Sequence, residues 1–309
     1  MVRVDSIIGL SISLLWALSA CQPSEQGDGS AIGPLIEVGQ LSEILEHQDI
    51  KLVDLRPFEL YQKGHIPKAI HLWRPDIQDS THSTTGIRAS RSQLQYLLQS
   101  KGFNHGDHIV IYDDKGDVDA ARLWWLLKLY GYHSVSLLNG GLQAWENSGL
   151  EITNSMRVVR PNGNIQLETP NHKFLVDHQK VLAAVGNKNY KIIDARSAEE
   201  YSGQHQKSGA QRSGRIPGSI FFEYSQTLDE NAKFLESEEL IELISSYGIS
   251  AEDSLIVYCQ SGVRSSHLSF VLHELMDYPY VANYDGSWIE WSQNPNLPIE
   301  TDSLILTMN

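Results

Sequence analysis

Two cysteines occur in this 309-residue chain, and one of them, Cys259, stands in a setting with chemical consequences. Leu255-Ile256-Val257-Tyr258 precedes it and reads as a buried parallel strand. A polar loop, Gln260-Ser261-Gly262-Val263-Arg264-Ser265-Ser266, follows, and residues 267–275 read as a helix. A cysteine at such a strand-to-helix handover lies among backbone N–H groups that can point at an anion. The helix N-terminus and the Arg264 guanidinium both stabilise negative charge and so favour thiolate over thiol. Gly262 permits a backbone approach that a Cβ would hinder. A free cysteine can equally be a buried apolar residue. The Gly and Arg at fixed offsets, in a strand–loop–helix context, favour the nucleophile.

The motif Cys-x-x-Gly-x-Arg-Ser after Ile-Val-Tyr resembles the active-site loop of the rhodanese family, the thiosulfate and 3-mercaptopyruvate sulfurtransferases. Only Gln260, Ser261, Gly262 and Val263 separate Cys259 from Arg264. Cysteine-dependent phosphatases have a longer spacing, and the smaller ring suits a single sulfur atom better than a tetrahedral phosphate. The resemblance implies a ping-pong transfer. Cys259 would take a sulfane sulfur from a small anionic donor and hand it to a thiol or cyanide acceptor. Gln260 and the N–H groups of Ser261, Gly262 and Val263 would line the bound sulfur, with Arg264 bracing the loop. The alternative is a non-catalytic module that binds persulfide or senses redox state at the cell envelope.

The elements that position this loop occur twice. Lys51-Leu52-Val53-Asp54-Leu55-Arg56 recurs as Lys191-Ile192-Ile193-Asp194-Ala195-Arg196, and His65-Ile66-Pro67 as Arg215-Ile216-Pro217. Ile109-Val110-Ile111-Tyr112 recurs as the strand before Cys259, and Gly140 and Trp145 recur as Gly286 and Trp291. The changing offset places an insertion of about ten residues within 203–214. Strands over 51–55, 109–112 and 134–138 alternate with helices over 92–100, 118–130 and 141–148. The second copy repeats the order, with strands over 191–195, 255–258 and 282–284 and helices over 237–247 and 265–276. This predicts an α/β fold of two tandem rhodanese-like domains, each a mainly parallel sheet flanked by helices. Active sites in such sheets lie beyond the carboxyl ends of the strands. The expected organisation is a first domain over 35–152, a linker over 153–170 and a catalytic domain over 171–303. Asp113 stands where Cys259 stands, so the first copy is expected to be inactive.

The resemblance carries further expectations. In mercaptopyruvate sulfurtransferases an Asp and a His of the first domain have been proposed to act with a loop serine. The matching residues here are Asp54, His65 and Ser261, which could together move a proton. Asp54 also has a structural reading, because its Asp-x-Arg context recurs at Asp194 and Arg196. A family arginine that helps hold the anion is replaced by Glu200, leaving Arg212 and Arg215 as candidates for that role. The neutral pair Gln260-Ser261 leans towards 3-mercaptopyruvate or a persulfide donor rather than thiosulfate. Trp288 and Trp291 are expected to pack rather than to bind substrate.

Residues 1–20 have the layout of a secretory signal, too short for a comfortable membrane span. Leu18-Ser19-Ala20-Cys21 resembles a bacterial lipobox, which implies lipidation at Cys21 and a periplasmic protein anchored to the outer membrane. An ordinary cleaved signal and a soluble periplasmic protein is the alternative. Residues 21–34 read as a flexible tether. With 24 basic and 38 acidic residues the net charge is −14, which argues against nucleic acid, and contact with a membrane is expected only through the lipid. The 12 histidines show no metal-site spacing, and no cofactor is expected.

Overall fold

In the computed structural model the described residues are 32–156 and 162–302; the signal segment and Cys21 lie outside them. The first half carries strands β1 (Leu35–Ile36), β2 (Ile50–Asp54), β3 (Ile70–His71), β4 (His108–Tyr112) and β5 (Val135–Leu138). The second carries β6 (Leu175–Val176), β7 (Tyr190–Asp194), β8 (Ile220–Phe221), β9 (Ser254–Tyr258) and β10 (Val281–Tyr284). Each set forms a five-stranded parallel sheet, in the orders β1-β5-β4-β2-β3 and β6-β10-β9-β7-β8. The central strands are nearly continuous apolar runs, as strands covered on both faces must be.

The covering helices of the first half are α1 (Val38–Ile44), α2 (Phe58–Lys63), α3 (Arg91–Ser100), α4 (Ala120–Leu129) and α5 (Gly141–Asn147). Those of the second are α6 (His178–Ala184), α7 (Ala198–Ser202), α8 (Ser237–Ser246), α9 (Val263–Phe270) and α10 (Ser287–Gln293). Helix α9 starts at Val263, before both 265 and 267 where the sequence placed its start, and gives way to a wider π-type turn over Val271–Leu275. Its early start follows from Gly262, which caps it at a φ of +78°. No helix among the described residues is long and apolar enough to cross a membrane.

The two halves share one core. Its seam is α4 against α9, with Trp124 edge-on to Phe270 at 5.1 Å. Every residue of α4 except Lys128 is buried, which accounts for its apolar character on all sides. The segment after residue 161 is also built in. Ile165 and Leu167 are buried, and the amides of Gly163, Ile165 and Glu168 donate to carbonyls of Gln99, Phe103 and Tyr130 in the first half. Their period-two spacing was the sequence signal for that packing.

Candidate active site

Cys259 follows β9 directly and is 1% exposed. It sits beneath the first turn of α9, where helix N–H groups lack intrahelical partners. Burial pushes the thiol up. The Arg264 charge, the Ser265 hydroxyl and the amides of Ser265 and Ser261 together outweigh it and bring the thiol below its ordinary value. The Ser265 hydroxyl has one proton and two acceptors, Asn283 Oδ1 at 2.8 Å and the cysteine sulfur at 3.5 Å.

The loop is held from several sides. Ser287, at a φ of +50°, accepts the amides of Cys259 at 3.1 Å and Gly262 at 3.0 Å on its Oγ. The Gly262 carbonyl accepts from Ser266 Oγ at 2.6 Å, Arg122 Nη1 at 3.1 Å and Asn283 Nδ2 at 3.2 Å. A Cβ on Gly262 would meet Arg122 Nη1 and the Asp285 carbonyl, both at 2.8 Å, so the position has no room for a side chain.

Arg122 belongs to the first half, and it is wholly buried. Its Nη2 donates to Asp285 Oδ1 at 2.5 Å and to the Gly86 carbonyl at 3.1 Å. The other oxygen of Asp285 accepts from Arg88, through its backbone at 3.2 Å and its Nη1 at 3.0 Å. Gly86, at a φ of +89°, lies so close to Ser261 that a Cβ there would stand 2.9 Å from the serine Cβ. The half without a cysteine therefore grips the cysteine loop directly. Arg122, Arg88, Asp285 and Ser287 were not assigned to the site from sequence. The available signal was a lone arginine inside the apolar run of α4, a position where a charge needs a partner.

Arg264 leaves the start of α9 and forms a bidentate pair with Glu200, at 2.6 and 2.8 Å. Glu200 is 4% exposed. Burial would raise its carboxyl, but the Arg264 bond and charge, helped by Lys207, hold it down to about 2. The position that departs from the family pattern thus anchors the arginine that activates the thiol.

The equivalent loop of the first half is occupied by a carboxyl group of its own, whose burial pushes it up while four backbone N–H groups oppose the shift. Asp113 Oδ1 accepts the amides of Lys115 and Asp117 at 2.7 and 2.9 Å, and Oδ2 those of Asp119 and Ala120 at 2.7 and 3.1 Å. A carboxyl group fills this cradle and leaves nothing to carry sulfur.

Among the other residues singled out from sequence, Gln260 Nε2 donates to the carbonyls of Ser208 at 3.0 Å and Lys207 at 3.4 Å. Val263 opens α9. Asp54, His65 and Ser261 are not joined to one another by hydrogen bonds. Asp54 bonds Arg56 and the Tyr112 hydroxyl, as Asp194 bonds Arg196 and the Tyr258 hydroxyl in the second half. His65 stacks on Tyr61 at 3.7 Å and bonds its carbonyl through Nδ1. Arg212 donates to four carbonyls at the end of α10 and just beyond, those of Trp291, Ser292, Asn294 and Leu297. Arg215 pairs with Glu300 and Asp302, the latter at 2.7 Å. Neither arginine bonds the cysteine loop. A cleft of about 600 Å³, lined in part by Arg88, His172, Lys180, Asp285 and Glu290, does not include Cys259. Among the described residues no group of three or more His, Cys, Asp or Glu side chains is arranged to hold a metal ion.

The chain matches the family described as Rhodanese-like domain twice, over residues 37–148 and 177–294. It is 35% identical over 250 residues to a protein of Mycolicibacterium smegmatis provisionally named thiosulfate sulfurtransferase, covering 79% of this chain and 88% of that one. It is 31% identical over 278 residues to the sulfur carrier protein TtuD of Thermus thermophilus, covering 86% and 95%. Among solved structures it resembles the 3-mercaptopyruvate sulfotransferase SseA of Escherichia coli, with a TM-score of 0.75, 26% identity and coverage of 83% and 99%. An ergothioneine biosynthesis enzyme of Chlorobium limicola shares the fold, at a TM-score of 0.76 and 24% identity over 87% of this chain and 70% of that one.

Proposed function

This chain belongs to the rhodanese family of sulfurtransferases, and from that premise we propose that it moves a sulfane sulfur through a persulfide on Cys259. The observation that carries the reading is the setting of the sulfur, at the start of α9, facing the amides of Ser261 and Ser265, with Arg264 drawing the thiol below its ordinary value.

With thiosulfate, the Cys259 thiolate attacks the outer sulfur, the S–S bond breaks and sulfite leaves with its electron pair. With 3-mercaptopyruvate, the C–S bond breaks and the thiol hydrogen ends on the methyl carbon of pyruvate. Either route leaves Cys259 as a persulfide anion, stabilised by the amides and the helix terminus. An acceptor thiolate or cyanide then attacks the outer sulfur and restores the thiolate. Because Glu200 engages both terminal nitrogens of Arg264, that guanidinium is not free to bond a dianion, which supports a preference for 3-mercaptopyruvate over thiosulfate. Relatives are named for thiosulfate, so both donors belong in the test. A side-by-side donor panel decides it: release of pyruvate faster than sulfite is expected, and release of neither would overturn the reading.

One observation favours a second role, that of a persulfide carrier. TtuD, to which the chain is 31% identical over 278 residues, is named as a sulfur carrier. A carrier would load once and turn over slowly with a small thiol, whereas an enzyme sustains steady-state turnover. The amino-terminal segment supports placement in the periplasm as a lipoprotein acylated at Cys21. Precursor should accumulate under globomycin, and its failure to do so, with no fatty-acid labelling, would refute the anchor.

A further inference from the structure

The insertion over 203–214 brings three basic residues to the second half, counting Arg215 just after it. Arg212 is held by four carbonyls around the end of α10, and Arg215 by Glu300 and Asp302. Lys207 differs. Its side chain makes no ion pair or hydrogen bond, and the residue is exposed. Its backbone, however, is fixed at the cysteine loop, because Gln260 Nε2 donates to the carbonyls of Lys207 and Ser208. The ammonium lies within electrostatic reach of Glu200, where it helps keep the carboxyl ionised.

The surroundings give that ammonium a task. Arg264 bonds Glu200 through both terminal nitrogens, so the guanidinium that acts on the Cys259 thiol is not free to bond a donor's anionic end as well. Glu223 stands close enough to Arg264, Glu199 and Glu200 to feel all three charges. Around Arg264 there are therefore several carboxylates, and Lys207 is the one of the three basic residues Lys207, Arg212 and Arg215 whose side chain no partner holds.

We propose that Lys207 is the residue that binds the anionic end of the sulfur donor, a carboxylate or sulfonate group, and that the insertion is present to place it there. This rests on the sulfur-transfer reading. Lys207 acts in binding, not in bond breaking, so its effect belongs in KM.

The test is steady-state kinetics of the full chain with thiosulfate and 3-mercaptopyruvate, using dithiothreitol as an uncharged acceptor. Lys207→Gln should raise the donor KM about fivefold, as for loss of one solvent-facing ion contact, with kcat within about twofold. Lys207→Glu should raise KM further, and Lys207→Arg should restore it. The donor KM of the parent chain should climb with ionic strength more steeply than that of Lys207→Gln. The dithiothreitol KM should stay constant throughout, and Lys188→Gln, a surface control, should behave as the parent. An unchanged donor KM in Lys207→Gln, beside a parent that turns over, overturns the assignment and leaves sulfur transfer standing. A parent that turns over neither donor overturns both.

Discussion

Replacing Arg122 by methionine removes the main grip of the first half on the cysteine loop. The guanidinium is wholly buried and bonds Asp285, the Gly86 carbonyl and the Gly262 carbonyl. Breaking a buried ion pair from one side costs about 3–5 kcal/mol. Asp285 keeps Arg88 on its other oxygen and Gly262 keeps Ser266 and Asn283, so the lower end applies. The orphaned Gly86 carbonyl adds about 1 kcal/mol. The expected loss is about 4 kcal/mol in urea unfolding, a large share of an ordinary domain's stability. The informative readout is turnover at a temperature where the variant stays folded. A loop released at Gly262 misplaces the sulfur, and misplacement of about 1 Å can lower the rate by about a hundredfold. Arg88→Gln is the control, since Arg88 touches Asp285 but not Gly262; it should lose less stability and far less turnover. If Arg122→Met unfolds like the parent chain, or keeps full turnover while destabilised, the first half does not position the loop and the reasoning fails.

Other outcomes follow from the same contacts. Arg264→Gln removes the charge that draws the Cys259 thiol below its ordinary value, so the midpoint of iodoacetamide labelling against pH should move upward. An unmoved midpoint would show that the amides alone set it. Gly262→Ala forces a Cβ to within 2.8 Å of Arg122 Nη1 and the Asp285 carbonyl at a positive φ, and should abolish turnover as measured by sulfite or pyruvate release. Asp113→Ala leaves three buried amides and the half-buried amide of Lys115 without their acceptor and should cost about 3 kcal/mol or more in urea unfolding, with turnover nearly unchanged, because that cradle carries no sulfur.

The fold was legible because its signals are local and doubled. Apolar runs such as Leu255 to Tyr258 mark central strands, and the recurrence of Asp-x-Arg and Ile-Pro sets two copies in one order. The nucleophile was legible because cysteine, glycine and arginine sit within one short loop. The rest of the site depends on partners distant in sequence. Arg212 and Arg215 looked available because the α10 carbonyls, Glu300 and Asp302 lie roughly eighty residues further on. Asp54 and His65 matched a proposed relay by spacing, but Arg56, Tyr112 and Tyr61 hold them within their own half. Arg122 and Ser287 act on the loop through contacts that only the packing of α4 and the end of β10 creates.

The measurement closest to the central claim is intact-protein mass spectrometry after treatment with donor and removal of excess. The protein should gain the mass of one sulfur atom, peptide mapping should place it on Cys259, and an acceptor thiol should remove it. Cys259→Ser should gain nothing. A sulfur retained by Cys259→Ser, or an unmodified Cys259 in a chain that still turns over donor, would contradict the persulfide on which the account stands.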